Sequence, residues 1–224
     1  MNLKDKVIII TGGSSGFGKT LSEAFLKEGS KVIISSNNKK ELKKVSKEMG
    51  ILGVYGDVTR EKDLACLLNK TIKNFGQVDV WINNAGLWMP HDFVENFDID
   101  KVKKMFGVNV FGVINGSRVA LRYMKEKNSG TIINIISESA LAERPMSSTY
   151  CASKWAVNGF TKSIRGENKN ISIFSIFPGA MKTDIFGEIK PEGFESFMET
   201  GYVAGRVIEN LKKEIPDEEL IVIK

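Results

Sequence analysis

The chain has 224 residues, of which 42% are hydrophobic and 26% are charged, and its formal net charge is +5. This composition is ordinary for a globular protein, so it excludes collagen, coiled coil and extensive disorder. Two cysteines cannot build a disulfide framework, and one histidine, His91, excludes zinc sites that need several.

Short apolar segments alternate with longer amphipathic ones along the whole chain. The strand candidates, in chain order, are Val7–Thr11, Lys31–Ser35, Leu52–Tyr55, Val78–Ile82, Thr131–Ile136, Ile171–Phe177 and Leu220–Ile223. The helix candidates between them are Gly18–Glu28, Lys40–Met49, Glu61–Phe75, Ile99–Lys125, Ser148–Arg165 and Gly201–Lys213. Strands that alternate with helices indicate a parallel sheet covered on both faces. We therefore expect one α/β domain over residues 1–224, a doubly wound Rossmann-like fold with a parallel seven-stranded sheet.

The excess of positive charge does not indicate a nucleic-acid partner. Lysines alternate with glutamate in stretches such as Lys39–Lys44, which is typical of a solvated helix face. Apolar runs such as Val7–Ile10 are far shorter than the roughly 20 residues of a membrane span. The charged start, Met1–Lys6, lacks the core of a signal peptide. We expect a cytoplasmic protein with no nucleic-acid or membrane partner.

A glycine-rich turn follows the first strand and fits two phosphate-binding patterns. Gly13–Thr20 matches G-x-x-x-x-G-K-[ST], the pattern of nucleoside triphosphatases, whereas Thr11–Gly18 matches T-G-x-x-x-G-x-G, a dinucleotide-binding turn. Both place glycine backbone at a helix N-terminus, where free N–H groups favour an anion. The turn alone does not separate the two functions.

The residues that follow the later strands argue against a nucleoside triphosphatase. That function needs an acidic residue after another apolar strand to hold magnesium. The strand Val78–Ile82 is followed by Asn83–Gly86, which contains no carboxylate. The strand Thr131–Ile136 leads into Ser137, and Glu138 comes one position late. A P-loop hydrolase therefore remains only a remote alternative.

Tyr150 and Lys154 form a candidate acid–base pair. A spacing of four residues places both side chains on one face of a helix. A free tyrosine has a pKa of about 10, and a neighbouring ammonium group lowers it, so the pair can exchange a proton with an alcohol oxygen. Ser137 follows the fifth strand, and its hydroxyl can hydrogen-bond the same substrate oxygen.

The order of these motifs resembles the short-chain dehydrogenase/reductase family over nearly the whole chain. The matching segments are Thr11–Gly18, Asn83–Gly86, Asn109–Gly112, Ser137, Tyr150–Lys154 and Pro178-Gly179 with Thr183. The resemblance implies an oxidoreductase that transfers a hydride between a nicotinamide cofactor and the carbonyl or alcohol group of a small substrate. It also implies a homodimer or homotetramer formed through the helices Ile99–Lys125 and Ser148–Arg165.

The resemblance also implies roles for single residues. Tyr150 would be the general acid/base, Lys154 would lower the pKa of Tyr150 and hold the nicotinamide ribose, and Ser137 would position the substrate oxygen. Asn109 would hold a water molecule that connects Lys154 to solvent. The cofactor-binding residues, besides Tyr150 and Lys154, would be Gly12, Ser14, Gly16, Phe17, Gly18, Asp57, Val58, Asn83, Ala85, Gly86, Pro178, Gly179 and Thr183. No metal is implied.

The end of the second strand bears on the choice of cofactor. NAD-preferring sites place a carboxylate about where Ser36 stands, to bind the ribose 2′-hydroxyl. Ser36 and Asn37 can instead donate hydrogen bonds to a 2′-phosphate, and Lys39 or Lys40 could neutralise it, although both lysines also fit a solvated helical turn. Many NADP-using members of the family have arginine in place of Asn37. This pattern favours NADP(H), with NAD(H) as the alternative.

Substrate contacts are expected from the loops at about 87–97, 138–149 and 180–200. Arg144 either attracts a substrate carboxylate or is a solvated surface residue. The segment from Asp184 to Thr200 is short for a lid, which favours an open site. The candidate contacts are Trp88, Met89, His91, Phe93, Glu143, Arg144, Met146, Met181 and Phe186. A cofactor-binding sensor or scaffold without turnover is the second alternative function.

The cofactor assignment is tested by Ser36→Asp. A carboxylate there would repel a 2′-phosphate and accept hydrogen bonds from a 2′-hydroxyl, so we expect the ratio of kcat/KM with NADPH to that with NADH to fall at least about tenfold. Steady-state kinetics with both cofactors measures the ratio, and an unchanged ratio would contradict the assignment.

Overall fold

The computed structural model describes all residues from 1 to 224 as one seven-stranded sheet with helices on both faces. Every neighbouring pair of strands is parallel, and the strand order is β3-β2-β1-β4-β5-β6-β7. The predicted fold is therefore confirmed. The strands are β1 (Val7–Thr11), β2 (Lys31–Ser36), β3 (Leu52–Tyr55), β4 (Val80–Asn83), β5 (Thr131–Ile135), β6 (Ser172–Pro178) and β7 (Glu219–Val222).

Seven helices connect the strands and divide into two layers. The helices are α1 (Gly16–Lys27), α2 (Lys39–Met49), α3 (Glu61–Phe75), α4 (Ile99–Phe106), α5 (Gly112–Lys127), α6 (Ser148–Glu167) and α7 (Thr200–Lys212). Helices α1, α2 and α7 share one buried apolar cluster with the sheet, and α3, α5 and α6 share another on the opposite face. No helix is long and apolar enough to cross a membrane.

The apolar runs form strands because both of their faces are covered. In β1, Ile8 and Ile10 pack into the cluster with α1, while Val7 and Ile9 pack into the cluster with α3 and α5. Strands buried on both faces need continuous apolar sequence, which β1 supplies. The chain leaves β1 and β4 in opposite directions along the sheet, so a crevice opens between their carboxyl ends.

The helix predicted over Ile99–Lys125 is observed from Ile99 to Lys127, and it contains a π-helical turn at Gly107–Phe111 between α4 and α5 that was not predicted. Within this turn, the Asn109 side chain hydrogen-bonds both backbone groups of Leu87 and the hydroxyl of Ser153. Turns of this kind occur inside α-helices, frequently at functional sites.

The fourth strand begins two residues later than predicted. The Asp79 carboxylate accepts hydrogen bonds from the backbone N–H of Val7 and from the Lys6 ammonium group. The N–H of Val78 donates to the Tyr123 hydroxyl. The backbone of Asp79 still bonds to both neighbouring strands, since its N–H donates to the Val7 carbonyl and its carbonyl accepts from Thr131. The paired residues of β4 and β1 begin at Val80.

A buried polar network lies beneath the crevice. The Asn83 side chain accepts a hydrogen bond from the Trp81 indole N–H at 2.8 Å and donates to Asn134 at 2.8 Å and to Ser117 at 3.1 Å. Asn134 in turn donates to the Thr161 hydroxyl. The network joins β4 and β5 to α5 and α6, and buried polar groups that lose such partners destabilise a fold.

Gly116 of α5 lies directly against this network, so a substitution there tests it. A Cβ atom at this position would lie 2.1 Å from Asn83 Oδ1 and 2.9 Å from the Trp81 indole nitrogen. Gly116→Ala should therefore lower the free energy of unfolding by about 2–4 kcal/mol, measured by urea denaturation.

Gly205→Ala in α7 is the matched control, because its Cβ would meet nothing within 4 Å. Replacing a helical glycine by alanine without strain should stabilise by up to about 1 kcal/mol. Equal effects of the two substitutions would show that the network does not crowd Gly116.

Candidate active site

A cavity of about 870 Å³ lies at the carboxyl ends of the strands. It is lined by the loops that follow β1, β2, β3, β4, β5 and β6 and by the start of α6. Loops at this edge of a parallel sheet converge because each strand ends there, which makes it the usual ligand site of doubly wound folds.

The glycine-rich turn after β1 forms one wall of the cavity. Gly12 has φ +64°, and a Cβ there would lie 2.9 Å from Ala85 Cα; Gly16 has φ +48°. Helix α1 starts directly after Ser15, whose side chain makes no capping hydrogen bond, and its first turn holds no acidic residue. The free N–H groups of the turn are thus available to an anion. This cradle fits a dinucleotide pyrophosphate.

Thr11 and Asn84 hold the glycine-rich turn against the loop after β4. The Asn84 amide donates to the carbonyl oxygens of Thr11 at 2.9 Å and of Gly12 at 3.3 Å. The Thr11 hydroxyl accepts from the backbone N–H groups of Asn84 and Ala85. Asn84 also lines the cavity, and the sequence analysis did not select it. The asparagine pair Asn83-Asn84 was the feature of the sequence that could have indicated it.

At the end of β2 the cavity meets the start of α2. The Ser36 hydroxyl oxygen accepts the N–H of Asn38 at 3.1 Å, which leaves its own O–H free to donate. The Lys39 ammonium group lies 4.7 Å from the centre of the Tyr55 ring, and neither Lys39 nor Lys40 lines the cavity. Glu41 does line it. The structure therefore does not bring the predicted lysines to this end of the site.

Tyr150 and Ser137 meet at the other end of the cavity. Burial raises the pKa of Tyr150 to about 12, while a hydrogen bond with Ser137 and the charge of Arg144 act to lower it and Cys151 acts to raise it. The Ser137 oxygen also accepts the N–H of Ser139 at 3.1 Å. Near neutral pH the phenol therefore holds its proton and can donate it to an oxygen bound beside Ser137.

Lys154 lies on the same face of α6 and is buried. Its ammonium nitrogen lies 5.6 Å from the centre of the Tyr150 ring and 3.5 Å from the Ile135 carbonyl oxygen. Burial lowers the pKa of Lys154 to about 8. The pKa of Tyr150 is thus raised where the sequence predicted that it would be lowered, because burial is the largest contribution.

Asn109 acts on the site through its neighbours. Its amide donates to the Leu87 carbonyl and to the Ser153 hydroxyl, and Ser153 donates to the Tyr150 carbonyl at 2.7 Å. The loop after β4 is thus connected to the first turn of α6. Because these contacts occupy the Asn109 side chain, the water relay attributed to it stays a prediction.

The cavity gathers most of the residues selected from the sequence. It is lined by Gly12, Ser14, Gly16, Phe17, Gly18, Ser36, Asn37, Asp57, Val58, Ala85, Gly86, Ser137, Tyr150, Lys154, Pro178, Gly179 and Thr183. Asn83 and Asn109 do not line it, because their side chains are held in the contacts described above. Lys19 of the triphosphatase pattern lies outside the cavity and pairs with Glu48.

The expected substrate loops contribute unequally. Among the candidate contacts, Trp88, His91, Arg144, Met181 and Phe186 line the cavity, whereas Met89, Phe93, Glu143 and Met146 do not. Arg144 forms a salt bridge with Glu138, so it is neither a free cation nor a purely solvated side chain. Phe186, in the segment from Asp184 to Thr200, packs against Trp88 of the loop after β4. A parallel bridge joins Met181, just before this segment, to Met198 near its end.

Comparison with known proteins identifies the class. The family model of the short chain dehydrogenases matches residues 6–193. The chain belongs to this family, and it is an oxidoreductase of the short-chain dehydrogenase/reductase type. The resemblance drawn from the motifs is confirmed.

Individual relatives cover most of the chain. An uncharacterised oxidoreductase of Staphylococcus saprophyticus is 34% identical over 90% of this chain and 84% of its own length. A 3α-hydroxysteroid dehydrogenase of Mediterraneibacter gnavus is 32% identical over 83% of this chain and 77% of its own.

Solved structures show the same architecture. A 3-ketoacyl-(acyl-carrier-protein) reductase of Brucella melitensis, complexed with NADH, superposes with a TM-score of 0.90 at 28% identity, over 98% of this chain and 97% of that one. An alcohol dehydrogenase of Thermococcus sibiricus, complexed with 5-hydroxy-NADP, gives a TM-score of 0.86 at 25% identity, over 98% and 96%.

The buried lysine predicts a pH-dependent stability. Below pH 8, Lys154 is protonated in both the folded and the unfolded protein, so the folded state bears the full cost of burying a charge, about 3 kcal/mol. Between pH 8 and 10.5 the folded state releases the proton first and this cost disappears. Lys154→Met should therefore be more stable than wild type at pH 7, by up to about 3 kcal/mol, and lose this advantage towards pH 10.

Urea denaturation of both proteins between pH 7 and pH 10 measures the difference. Lys162→Met, which removes an exposed lysine of the same helix, is the control. An advantage that stays constant with pH would contradict burial as its cause.

Proposed function

We propose that this protein is an NADP(H)-dependent alcohol dehydrogenase or carbonyl reductase that acts on a small ketone or alcohol. The observation that carries the proposal is that the Tyr150 phenol and the Ser137 hydroxyl line the same cavity as the uncapped glycine-rich turn. One end of the cavity fits the phosphates of a dinucleotide, and the other can exchange a proton with an oxygen. Relatives of the same architecture bind NADH and 5-hydroxy-NADP.

The bound cofactor would supply or accept a hydride, and the chain's own residues would bind it and manage the proton. The N–H groups of the turn from Gly12 to Gly18 would hold the pyrophosphate. Asp57 and Val58 would contact the adenine end, and Pro178, Gly179 and Thr183 the nicotinamide end. Lys154, buried beside Tyr150, would bind the nicotinamide ribose through its ammonium donors.

Ser137 and Tyr150 would both bind the substrate oxygen. In reduction, the phenol donates its proton as negative charge develops on that oxygen, and the Ser137 hydroxyl donates a second hydrogen bond. In oxidation, Tyr150 would first lose its phenolic proton to solvent, and the resulting phenolate would receive the proton of the alcohol. Asn109 is a positioning residue in this scheme, because it fixes the loop after β4 and reaches α6 through Ser153.

The NADP(H) preference rests on the end of β2. The free O–H of Ser36 and the exposed amide of Asn37 can donate to a 2′-phosphate, and Ser36 provides no carboxylate to repel it. The carboxylate of Glu41 acts in the opposite direction. Its negative charge reduces the preference for NADP(H) over NAD(H), because no lysine lines this end of the cavity to offset it.

We also propose that the protein works as a homodimer or homotetramer. Phe111 and Trp155 leave large apolar surfaces exposed on the segment between α4 and α5 and on α6, at 59% and 51% of their maximum. These are the elements through which the family commonly associates. Exposed aromatic side chains of this size often mark subunit contacts.

The mechanism is tested by Tyr150→Phe with a panel of ketones and alcohols, each assayed with NADPH and NADH. Loss of the phenolic oxygen removes the proton donor, so kcat should fall at least about a thousandfold, while the cofactor Kd stays within about threefold. Absorbance at 340 nm reports turnover, and cofactor fluorescence reports binding.

Wild-type protein that binds the cofactor without oxidising or reducing any member of the panel would favour the sensor alternative. Retention of turnover in Tyr150→Phe would show that another group transfers the proton.

A further inference from the structure

A cluster of five aromatic rings borders the reactive end of the cavity. Trp88 lies edge-on to Phe186 at 5.0 Å between ring centres and to His91 at 5.5 Å. Behind Phe186, the rings of Phe194 and Phe197 complete the cluster at 5.9 and 5.8 Å. The aromatic cluster, defined as these five residues, joins the loop after β4 to the segment after β6.

Part of the aromatic cluster lines the cavity. Trp88, His91, Phe186 and Phe197 line the same cavity as Tyr150, and Phe194 does not. Edge-on contacts of this kind are favourable arrangements of aromatic rings, so they hold the wall in place and leave flat faces and edges available to a further ring. A substrate whose oxygen is fixed by Ser137 and Tyr150 would extend a substituent toward this wall.

The charged side chains next to Ser137 in the cavity wall are paired with each other. Glu138 directly follows Ser137, and its carboxylate forms a salt bridge with Arg144 at the cavity wall. The carboxylate of Glu138 therefore neutralises the positive charge of Arg144 that would otherwise bind a substrate carboxylate. An anionic substrate would either compete with Glu138 for the guanidinium group or lie against the carboxylate itself.

We propose that the site selects uncharged ketones that carry an aromatic ring beside the carbonyl, with their secondary alcohols, and discriminates against the matching 2-oxo acids. This rests on the proposed function. NADPH delivers the hydride to the carbonyl carbon, the C=O π electrons become the alcohol oxygen's lone pair, and that oxygen receives the proton of Tyr150. The aromatic cluster binds the ring, and the Glu138–Arg144 pair rejects the carboxylate.

Three ketones separate the two parts of this proposal when each is assayed with NADPH. Acetophenone has the ring without a charge, phenylglyoxylate adds the carboxylate, and 2-butanone lacks the ring. We expect kcat/KM for acetophenone to exceed each of the others by about tenfold or more. Equal or higher values for phenylglyoxylate or 2-butanone would overturn the selection. No turnover of any ketone or alcohol would instead overturn the proposed function itself.

Variants of the aromatic cluster test which residues select substrates with an aromatic ring. Phe186→Leu should lower the ratio of kcat/KM for acetophenone to that for 2-butanone by about fivefold to tenfold, since it removes a ring of the wall. Trp88→Leu tests the other side of the wall and covers the case in which the first variant does not fold. Phe194→Leu, in the same cluster but outside the cavity, should leave the ratio within about twofold. An unchanged ratio in both wall variants would overturn the role of the aromatic cluster.

Glu138→Gln tests the charge selection. The substitution keeps the size of the side chain and frees the guanidinium group of Arg144 to bind an anion. The ratio of kcat/KM for phenylglyoxylate to that for acetophenone should rise at least about tenfold. In the double variant Glu138→Gln/Arg144→Met this gain should disappear. A ratio that does not rise would overturn the role of the Glu138–Arg144 pair.

Discussion

Burial of a phenol and an amine side by side is the constraint on which the reactive end of the cavity depends. Removal from water raises the pKa of Tyr150 and lowers that of Lys154, so each group is driven toward its neutral form. Such groups are costly to bury, and they persist because the surrounding backbone is fixed by other contacts. Asn109 and Ser153 provide those contacts, and Asn109 lies in the π-helical turn between α4 and α5. The π-helical turn and the buried pair are thus connected through Ser153.

The opposite end of the cavity is organised by a different requirement. A glycine-rich turn can approach a phosphate only if its own backbone is held in an unusual conformation, with φ +64° at Gly12 and +48° at Gly16. Thr11 and Asn84 hold the start of the turn by hydrogen bonds, which replaces the stabilisation that side chains on the turn would give. At both ends of the site, polar residues therefore serve mainly to hold the backbone in place, and binding a ligand is not their main role.

Much of the fold and of the site could be predicted from the sequence, because the relevant signals are local. Unbroken apolar runs specify strands buried on both faces, and the motifs specify which loops carry glycine, tyrosine and lysine. The remainder depends on contacts between distant segments. The π-helical turn at Gly107–Phe111 is accompanied by a hydrogen bond from Leu87 to Asn109. Lys39 lies against the ring of Tyr55, and Arg144 is neutralised by Glu138. None of these partners is adjacent in sequence, so no local pattern indicates them.

The parallel bridge between Met181 and Met198 has a consequence for how the family can diversify. It pins together the two ends of the segment that carries Phe186, Phe194 and Phe197, outside the seven-stranded sheet. Because the ends are held at a fixed separation, residues between them can be exchanged or lengthened at little entropic cost, and the strands need not move. The segment can therefore be replaced as a unit: evolution or engineering can alter what enters the cavity while the residues proposed to bind the nucleotide and to transfer the proton stay unchanged.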